Sequence, residues 1–379
     1  MQASDTGTPT SGHDDTVSVA FELSWTTWVL AARTPGSERV SRYEMRAGDL
    51  TGVQARVDEL RDRAGRALGR RPRVVSCYEA GRDGFWLHRW LGSIGVENFV
   101  FEPASIAVDR RARRAKTDRI DVAMLLRTLH AYLRGDPLAV RIVRVPSPEQ
   151  EDGRRGERWR ERLVKERTAH TNRIKGLLAT LGLHSVRPSR ADWPAWLAAQ
   201  RDWQGRPVPP HLASELVAEH ERLMLVDRQI ATVEARRKTA AAPQVAATAA
   251  KLMRLKGIGP TVATMLAGEV FWKDFHNRRE VASYVGLTPS PWQSGSTSRD
   301  QGISKAGNKR ARTAMIELAW LWLRHQPASA LSGWFRVRVG VARGRPRRIT
   351  LVAFARKLLV ALWHFVSKGL VPTDAVLKA

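Results

Sequence analysis

Two aspartates and six cations lie together between residues 110 and 121. Asp118 and Asp121 are three positions apart, so they share one face of a helix that Thr117 would cap. Two adjacent carboxylates repel each other, and a divalent ion held between them by oxygen ligands lets both stay ionised. The alternative interpretation is a solvated helix start, where acids interact favourably with the N-terminal dipole.

The cations of this segment suit a polyanion that passes over such an ion. They are Arg110, Arg111, Arg113, Arg114, Lys116 and Arg119. Taken alone, the segment fits the solvated-helix interpretation better, because short acid pairs are common. Acids elsewhere in the chain change this balance.

Two further acids, Glu22 and Glu79, lie near the ends of predicted strands at residues 17–23 and 73–78. In an α/β sheet, the carboxyl ends of strands and nearby helix starts converge on one crevice. Four acids from three elements can therefore hold two metal ions about 4 Å apart, which suits displacement at a phosphodiester. The alternatives are an edge-strand acid facing solvent for Glu22 and a helix-capping acid for Glu79.

The first part of the chain alternates between strand and helix patterns. Strands are predicted at 17–23, 27–32, 39–45, 73–78 and 99–101, and helices at 48–68, 83–91 and 117–133. Three strands followed by helices that alternate with further strands indicate an α/β domain. Residues 1–15 are polar and are predicted to be disordered.

The chain of 379 residues is strongly basic, with a net charge of +26. Its length suggests two or three domains, and its charge indicates a polyanionic partner, nucleic acid first of all. A GC-rich genome would explain arginine over lysine but not the excess of bases over acids. The spread of the bases and the lack of a predicted membrane-length apolar run argue against a membrane role. The single cysteine, Cys77, excludes an internal disulfide and a cysteine-built zinc site.

From Pro146 the pattern changes to long helices. Apolar residues repeat at heptad-like spacing in 170–181 and again in 212–233, with a connector rich in tryptophan and proline between them. These runs predict a coiled-coil hairpin or a dimerisation arm, and the alternative is an ordinary helical subdomain. The alanine-rich segment 240–250, which contains Pro243, is interpreted as a boundary.

Residues 252–263 predict two helices joined by a Gly-Ile-Gly turn, the helix-hairpin-helix pattern. Gly257 and Gly259 would let the backbone approach a phosphate, which the amides at the start of the second helix would bind. Such a contact recognises the nucleic-acid backbone rather than its sequence. The alternative is a tight turn between two packed helices.

Four serines lie in residues 290–298, which are predicted to form a loop of small residues. Lys305, Lys309 and Arg310 follow, and small residues beside clustered bases let a loop lie against a phosphate. A serine there is a candidate nucleophile, although such segments are more often only flexible loops. No histidine in the segment is an obvious base, so the serine would need a metal or an arginine to stabilise its alkoxide.

In their order along the chain, these motifs resemble the DEDD transposases of the insertion-sequence 110 family, relatives of the Piv-type DNA invertases. The motifs are the early strand acid, Tyr78-Glu79-Ala80-Gly81, Lys116-Thr117-Asp118-Arg119-Ile120-Asp121, Gly257-Ile258-Gly259, Gly286-Leu287-Thr288-Pro289, Ser294-Gly295 and Gly302-Ile303-Ser304-Lys305-Ala306-Gly307-Asn308. The resemblance covers nearly the whole chain, from about residue 17 to residue 366.

The resemblance implies an architecture and a catalytic site. It implies a RuvC-like (ribonuclease-H-fold) domain at 16–145, a helical coiled-coil region at 146–245 and a mostly α-helical transposase domain at 246–379. It implies Mg²⁺ bound by four acids, namely Glu22, Glu79, Asp118 and Asp121, and a catalytic serine, Ser294, with Ser296 in reserve. Strand exchange guided by RNA is the implied reaction, whereas a metal-dependent nuclease or junction resolvase and a non-catalytic nucleic-acid-binding remnant are the alternatives.

The implied partners are element-end and target DNA, a structured guide RNA and further copies of the chain, as a dimer or tetramer. The implied location is the bacterial cytoplasm, at the nucleoid, without a membrane. The residues expected to contact nucleic acid are Arg110, Arg111, Arg113, Arg114, Lys116, Gly257, Gly259, Lys305, Lys309 and Arg310.

Two positions depart from the family pattern. Glu22 stands where aspartate is usual, and its extra methylene changes the reach of the carboxylate without removing an oxygen ligand. Gln293 precedes Ser294, where the family often has two adjacent Ser or Thr residues before the glycine. This arrangement favours Ser294 over Ser296 as the nucleophile.

Overall fold

The computed structural model describes residues 15–106, 118–239, 243–294 and 297–378. The chain forms two compact units, Met1–Ser147 and Pro148–Ala379. A mixed α/β sheet makes up the described part of the first unit, and helices dominate the second. This agrees with the predicted change of character near residue 146. The tail predicted to be disordered lies outside the described residues, apart from Asp15.

The first unit contains a five-stranded sheet in the order β3-β2-β1-β4-β5. Its elements are β1 (Thr16–Leu23), β2 (Thr27–Arg33), β3 (Ser41–Arg46), α1 (Leu50–Leu68), β4 (Arg73–Glu79), α2 (Trp86–Ser93), β5 (Glu97–Phe101) and α3 (Asp118–Leu133). Neighbours among β1, β2 and β3 are antiparallel, whereas β4 is parallel to β1 and β5 is parallel to β4. The carboxyl ends of β1, β4 and β5 therefore lie at one edge of the sheet.

Helices cover both faces of this sheet, and the strand side chains alternate between them. Phe21 of β1 and Tyr78 of β4 pack in the layer that contains α1 and α2. Ala20 and Cys77, one residue earlier on each strand, pack in the layer that contains α3. Successive strand residues point to opposite faces, so the face of each position follows from that of its neighbours.

The second unit begins with two long helices, α4 (Pro148–Ala179) and α6 (Pro210–Thr239), with the short α5 (Trp193–Ala199) between them. His170 lies 2.7 Å from Glu219 and Arg160 lies 2.6 Å from Glu234. The later residue of α4 contacts the earlier residue of α6, so the two helices are antiparallel. The two predicted helical runs are therefore present, and each helix is longer than its heptad-spaced segment.

The rest of the second unit is a helical bundle with one β-ribbon. Its elements are α7 (Pro243–Met253), α8 (Pro260–Glu269), α9 (Arg278–Val285), β6 (Pro289–Ser294), β7 (Thr297–Ile303), α10 (Lys309–His325), α11 (Ala330–Val339) and α12 (Arg345–Lys368). Pro243 begins α7, because proline suits the first position of a helix, where its missing N–H needs no partner.

Helix α12 corrects one sequence prediction. By length and composition it is apolar enough to cross a membrane, although no such run was predicted. Its Leu358, Leu359 and Leu362 side chains are completely buried in the main core of the second unit. The apolar residues on that face of the helix therefore belong to a protein core.

Candidate functional site

Glu22 and Glu79 lie next to each other at the carboxyl ends of β1 and β4. Phe21 pairs with Tyr78 in the parallel register, and each glutamate directly follows one member of that pair. Each acid also lies two residues beyond a side chain that packs in the α3 layer, so both acids belong to that face of the sheet. Glu22 is half-buried and Glu79 is exposed.

The first turn of α3, which carries Asp118 and Asp121, lies at this same end of the sheet. Arg119 donates to the Glu44 carboxylate at 2.9 Å. Glu44 pairs with Val29 across β3 and β2, and Val29 pairs with Glu22 across β2 and β1. The start of α3 is therefore level with Glu22.

A second contact places Asp121 level with Glu79. The Cys77 thiol donates to the Leu125 carbonyl at 3.6 Å. From that contact, four helical residues back to Asp121 rise about 6 Å. Two strand residues forward to Glu79 extend about 7 Å. Asp121 and Glu79 thus lie at about the same height along one face of the sheet.

The donor set at this edge consists of carboxylate oxygens, which are the ligands that Mg²⁺ prefers. Within the described ranges, no three His, Cys, Asp or Glu side chains lie closely enough to hold a metal ion. The fold therefore gathers the acids at one edge without closing a coordination sphere around them. The basic residues predicted beside them, Arg110, Arg111, Arg113, Arg114 and Lys116, lie outside the described part of the chain.

An aromatic platform that the sequence reasoning missed lies at the same edge. Trp25, in the turn after β1, is 78% exposed, and the Arg82 guanidinium lies 3.8 Å from the centre of its ring. Trp25 follows Glu22 by three residues, and Arg82 follows Glu79 by three. An exposed ring backed by a guanidinium offers a stacking surface to a nucleobase. The sequence signal that could have predicted this platform is a tryptophan three residues after an acid at the end of a strand.

Helices α7 and α8 flank the predicted Gly-Ile-Gly turn. Gly257 has φ +92°, and a Cβ there would lie 2.9 Å from the Cβ of His325. Packing against α10 therefore explains this glycine. Gly259 precedes α8 with open space around it. The Lys378 ammonium donates to the Ile258 carbonyl at 2.8 Å, which adds a cation to the turn.

The predicted serine loop is instead an antiparallel ribbon of β6 and β7, a correction to the sequence analysis. Cross-strand hydrogen bonding orders a segment whose small residues suggested a loop. Ser294 is exposed and pairs with Thr297 at the end of the ribbon. The reserve candidate, Ser296, lies outside the described residues.

Two glycines fix the base of this ribbon. Gly286 and Gly307 have φ values of +74° and +82°. An added Cβ would lie 1.9 Å from the Ala306 carbonyl oxygen at the first and 2.3 Å from the Tyr284 carbonyl oxygen at the second. These close backbone contacts join the end of α9 to the segment before α10. They explain why the motifs on either side of the ribbon contain glycine.

A buried carboxylate, Glu269 at the end of α8, joins this region to α4. It accepts hydrogen bonds from Arg158 at 2.8 and 3.1 Å and from the Asn308 amide at 3.1 Å. Burial raises the pKa of Glu269, but the hydrogen bonds and the charge of Arg158 outweigh it and hold that pKa below its ordinary value. Asn308 also caps α10 by accepting from the Ala311 amide.

The three cations predicted to follow the serine segment differ in their surroundings. Lys305 and Lys309 are exposed. Arg310 forms an ion pair with Glu161 of α4 at 2.8 Å. Arg310 therefore stabilises the second unit in this structure, a role that the prediction of phosphate binding did not include.

The second unit also contains a cationic cavity of about 1140 Å³ between α9, the base of the ribbon, α10, α11 and α12. Eight of its lining residues are cations: Arg278, Arg279, Lys305, Arg312, Arg345, Arg348, Arg356 and Lys357. Aspartate and glutamate are absent from the described lining. Aliphatic side chains, among them Ile316, Ile349 and Val352, also line it.

Residues 249–332 match the family described as Transposase IS116/IS110/IS902. The transposase y4rJ of Sinorhizobium fredii is 47% identical over 372 residues, which cover 95% of this chain and 94% of that protein. A family 20 transposase of Pseudomonas aeruginosa is 31% identical over 61% of this chain and 68% of its own. The transposase of insertion sequence element IS1111A from Coxiella burnetii is 26% identical over 76% of each.

The match to the family model covers α8 and α9, the ribbon and α10. The likeness to y4rJ extends over nearly the whole length of both proteins. The sequence resemblance is thereby confirmed, and the chain belongs to the IS116/IS110/IS902 family of transposases.

Proposed function

We propose that this transposase cuts and rejoins DNA of its own mobile element at the carboxyl edge of a RuvC-like first unit. The observation that carries the proposal is the placement of Glu22 and Glu79 in adjacent register on the face where α3 begins with Asp118 and Asp121. A surface carrying four acids is unusual in a chain of charge +26, and metal ions would offset their mutual repulsion.

The four acids would hold Mg²⁺, which supplies Lewis-acid stabilisation of the attacking and leaving oxygens when bound. Glu22 and Glu79 would contribute from fixed strand positions, and Asp118 and Asp121 from successive positions on one helix face. Trp25 and Arg82 would hold a nucleobase and its phosphate beside these acids. The carboxylates therefore select the metal, and the platform positions the nucleic acid.

Metal binding is tested by isothermal calorimetry of the full chain with Mg²⁺ alone. Glu79→Gln is expected to weaken binding by about tenfold or more. The matched control is Glu59→Gln, because Glu59 is an exposed acid of α1 on the other face of the sheet. Equal affinities in the wild type and Glu79→Gln would contradict the proposed ligand set.

Ser294 is the proposed nucleophile. Its oxygen would form a bond to phosphorus as the bond from phosphorus to a deoxyribose oxygen breaks, and the serine proton would pass to that leaving oxygen. A free hydroxyl is a poor nucleophile, so this step requires help from a metal or an arginine. The exposed position of Ser294 at the end of β6 supports access to a DNA strand.

Guidance by a structured RNA and assembly into a dimer or tetramer belong to the same proposal, as does phosphate binding by the α7–α8 hairpin. The basic excess and the open surroundings of Gly259 support them. The purified protein is expected to carry one discrete RNA from its own locus, with binding that falls steeply as salt rises. Recovery of only random cellular RNA would leave plain electrostatic binding as the explanation.

A metal-dependent nuclease is the second candidate, since the acid edge on its own would support cleavage without strand joining. Its test is whether DNA cleavage by the wild type leaves a covalent protein–DNA adduct. A nuclease would release free ends, whereas a recombinase that uses a serine nucleophile retains one end on the protein.

A further inference from the structure

The cationic cavity of the second unit has a composition that duplex DNA does not explain. Its eight arginines and lysines repel one another. Among the described residues, none of them forms an ion pair with a carboxylate. Bound phosphates would relieve that repulsion. A duplex, however, presents its phosphates on a convex surface with the bases stacked inside, so it would leave the aliphatic part of the lining uncovered.

We propose that this cavity binds an unpaired, extrahelical nucleotide of the nucleic acid on which the transposase acts. The arginines of the lining would hold the phosphates flanking that nucleotide, and the base would contact Ile316, Ile349 and Val352. A base that leaves a helix gives up its stacking, and burial in a fitted pocket offsets that cost. The inference rests on the proposed function, because it assumes a nucleic-acid substrate.

Polar groups of the cavity provide a means of holding a base edge. His364 lines the cavity, and its Nδ1 is buried without a hydrogen-bond partner among the described residues. Gln301 of β7 also lines it. The Gln301 side chain is exposed and can both donate to and accept from a base edge, whereas the His364 Nδ1 is covered by protein and would have to turn toward the cavity to do so.

The volume and position of the cavity fit a nucleotide within a strand. About 1140 Å³ exceeds the roughly 300–1,000 Å³ typical of small-molecule pockets, so neighbouring nucleotides have room beside the bound one. Pro289 and Ile303, which form the base of the β6–β7 ribbon, line the cavity. From Pro289, β6 extends about 17 Å to Ser294. A nucleic-acid strand with one nucleotide in the cavity would therefore continue toward the tip of the ribbon.

The test compares affinities of the full chain for two duplexes of equal length, one fully paired and one with a single unpaired nucleotide. The wild type is expected to prefer the second by about tenfold. Ala353→Trp fills the cavity from an exposed position of α12 and is expected to remove this preference while leaving paired-duplex binding unchanged. Ser367→Trp, an exposed position on the same helix outside the lining, is the control and should retain the preference.

The role of the lining arginines is tested with two neighbouring arginines of α12. Arg348 lines the cavity, whereas Arg347 lies over Trp320 and does not. Arg348→Ala is expected to weaken binding of the duplex with the unpaired nucleotide more than Arg347→Ala does. Equal losses would indicate a general phosphate surface and overturn the inference.

Other occupants give different results. If polyglutamate competes as well as a thymidine oligonucleotide, the cavity takes an acidic peptide, and the inference is wrong. If thymidine monophosphate competes as well as the thymidine oligonucleotide, the cavity is a mononucleotide site, and the inference is also wrong. Two measurements on Asp118→Asn separate the two proposals. Retained DNA cleavage would contradict the acid site, whereas the binding preference for an unpaired nucleotide would still test the cavity.

Discussion

Glu22 and Glu79 occupy adjacent register positions on parallel strands, one residue beyond the pair Phe21 and Tyr78. Both lie on the face of the sheet against which α3 packs. Because strands are about 4.8 Å apart, the backbones alone bring the two carboxylates within reach of one ion or of two neighbouring ions. The relationship depends on long-range strand pairing rather than on the spacing of the acids in sequence.

The departure at Glu22 can be tested by two substitutions, one that shortens the side chain and one that removes its charge. Glu22→Asp keeps a carboxylate and is expected to retain Mg²⁺-dependent cleavage within about tenfold of the wild type. Glu22→Gln keeps the length and removes the charge, and cleavage is expected to fall about 100-fold or more. Initial rates of DNA cleavage measure both. If Glu22→Gln cleaves as fast as the wild type, Glu22 is not a ligand.

The Trp25 platform predicts a preference for unstacked bases. Trp25→Ala is expected to weaken binding of a single-stranded oligonucleotide about tenfold. The salt dependence should not change, since no charge is removed. Trp25→Phe should restore most of the affinity. Trp203→Ala removes another strongly exposed tryptophan, at 76% exposure, and serves as the control. An equal loss from Trp203→Ala would show that exposed aromatics act without regard to position.

Ser294 is tested by trapping the covalent adduct on labelled element-end DNA under denaturing conditions. Ser294→Ala is expected to abolish the adduct, because no other oxygen replaces the nucleophile, while folding and RNA binding are retained. Ser290→Ala, on the same strand, should form it normally. If Ser296→Ala alone removes the adduct, the nucleophile lies two residues further on. If none of these variants loses it, the serine mechanism is wrong.

The Glu269 network predicts a pH-dependent contribution to stability. Glu269→Gln is expected to lower the free energy of unfolding at pH 7 by about 1.5–3 kcal/mol, the range for hydrogen bonds to a charged group. The folded-state pKa of Glu269 lies below its ordinary value of 4.5. This contribution is therefore fully present above pH 4.5 and is lost as pH falls through the folded pKa.

Urea denaturation followed by tryptophan fluorescence measures this effect. The difference between the wild type and Glu269→Gln should shrink below pH 4.5. Glu215→Gln is the control, because Glu215 is an exposed acid of α6 in the same unit, and it should change stability little at any pH. A difference that stays constant from pH 7 to acid pH would contradict a role for the ionised carboxylate.

Local patterns predicted the strands and helices described in the first unit. Short apolar runs indicated β1 and β4, and the usual convergence of strand carboxyl ends led to the prediction that Glu22 and Glu79 lie close together. The β6–β7 ribbon was missed because its pairing stabilises a segment whose residues individually favour a loop. The engagement of Arg310 by Glu161 was also missed, because the two residues meet only after α4 packs beside α10.

The central claim is that the acids at the carboxyl edge perform Mg²⁺-dependent DNA cleavage, and Asp118→Asn tests it most directly. The measurement is the initial rate of cleavage of element-end DNA with Mg²⁺, together with duplex affinity. Asp62→Asn is the control, since Asp62 is an exposed aspartate of α1 on the opposite face of the sheet. The account predicts a loss of about 100-fold or more in cleavage for Asp118→Asn, with duplex affinity unchanged and Asp62→Asn active. Cleavage by Asp118→Asn at the rate of Asp62→Asn would contradict it.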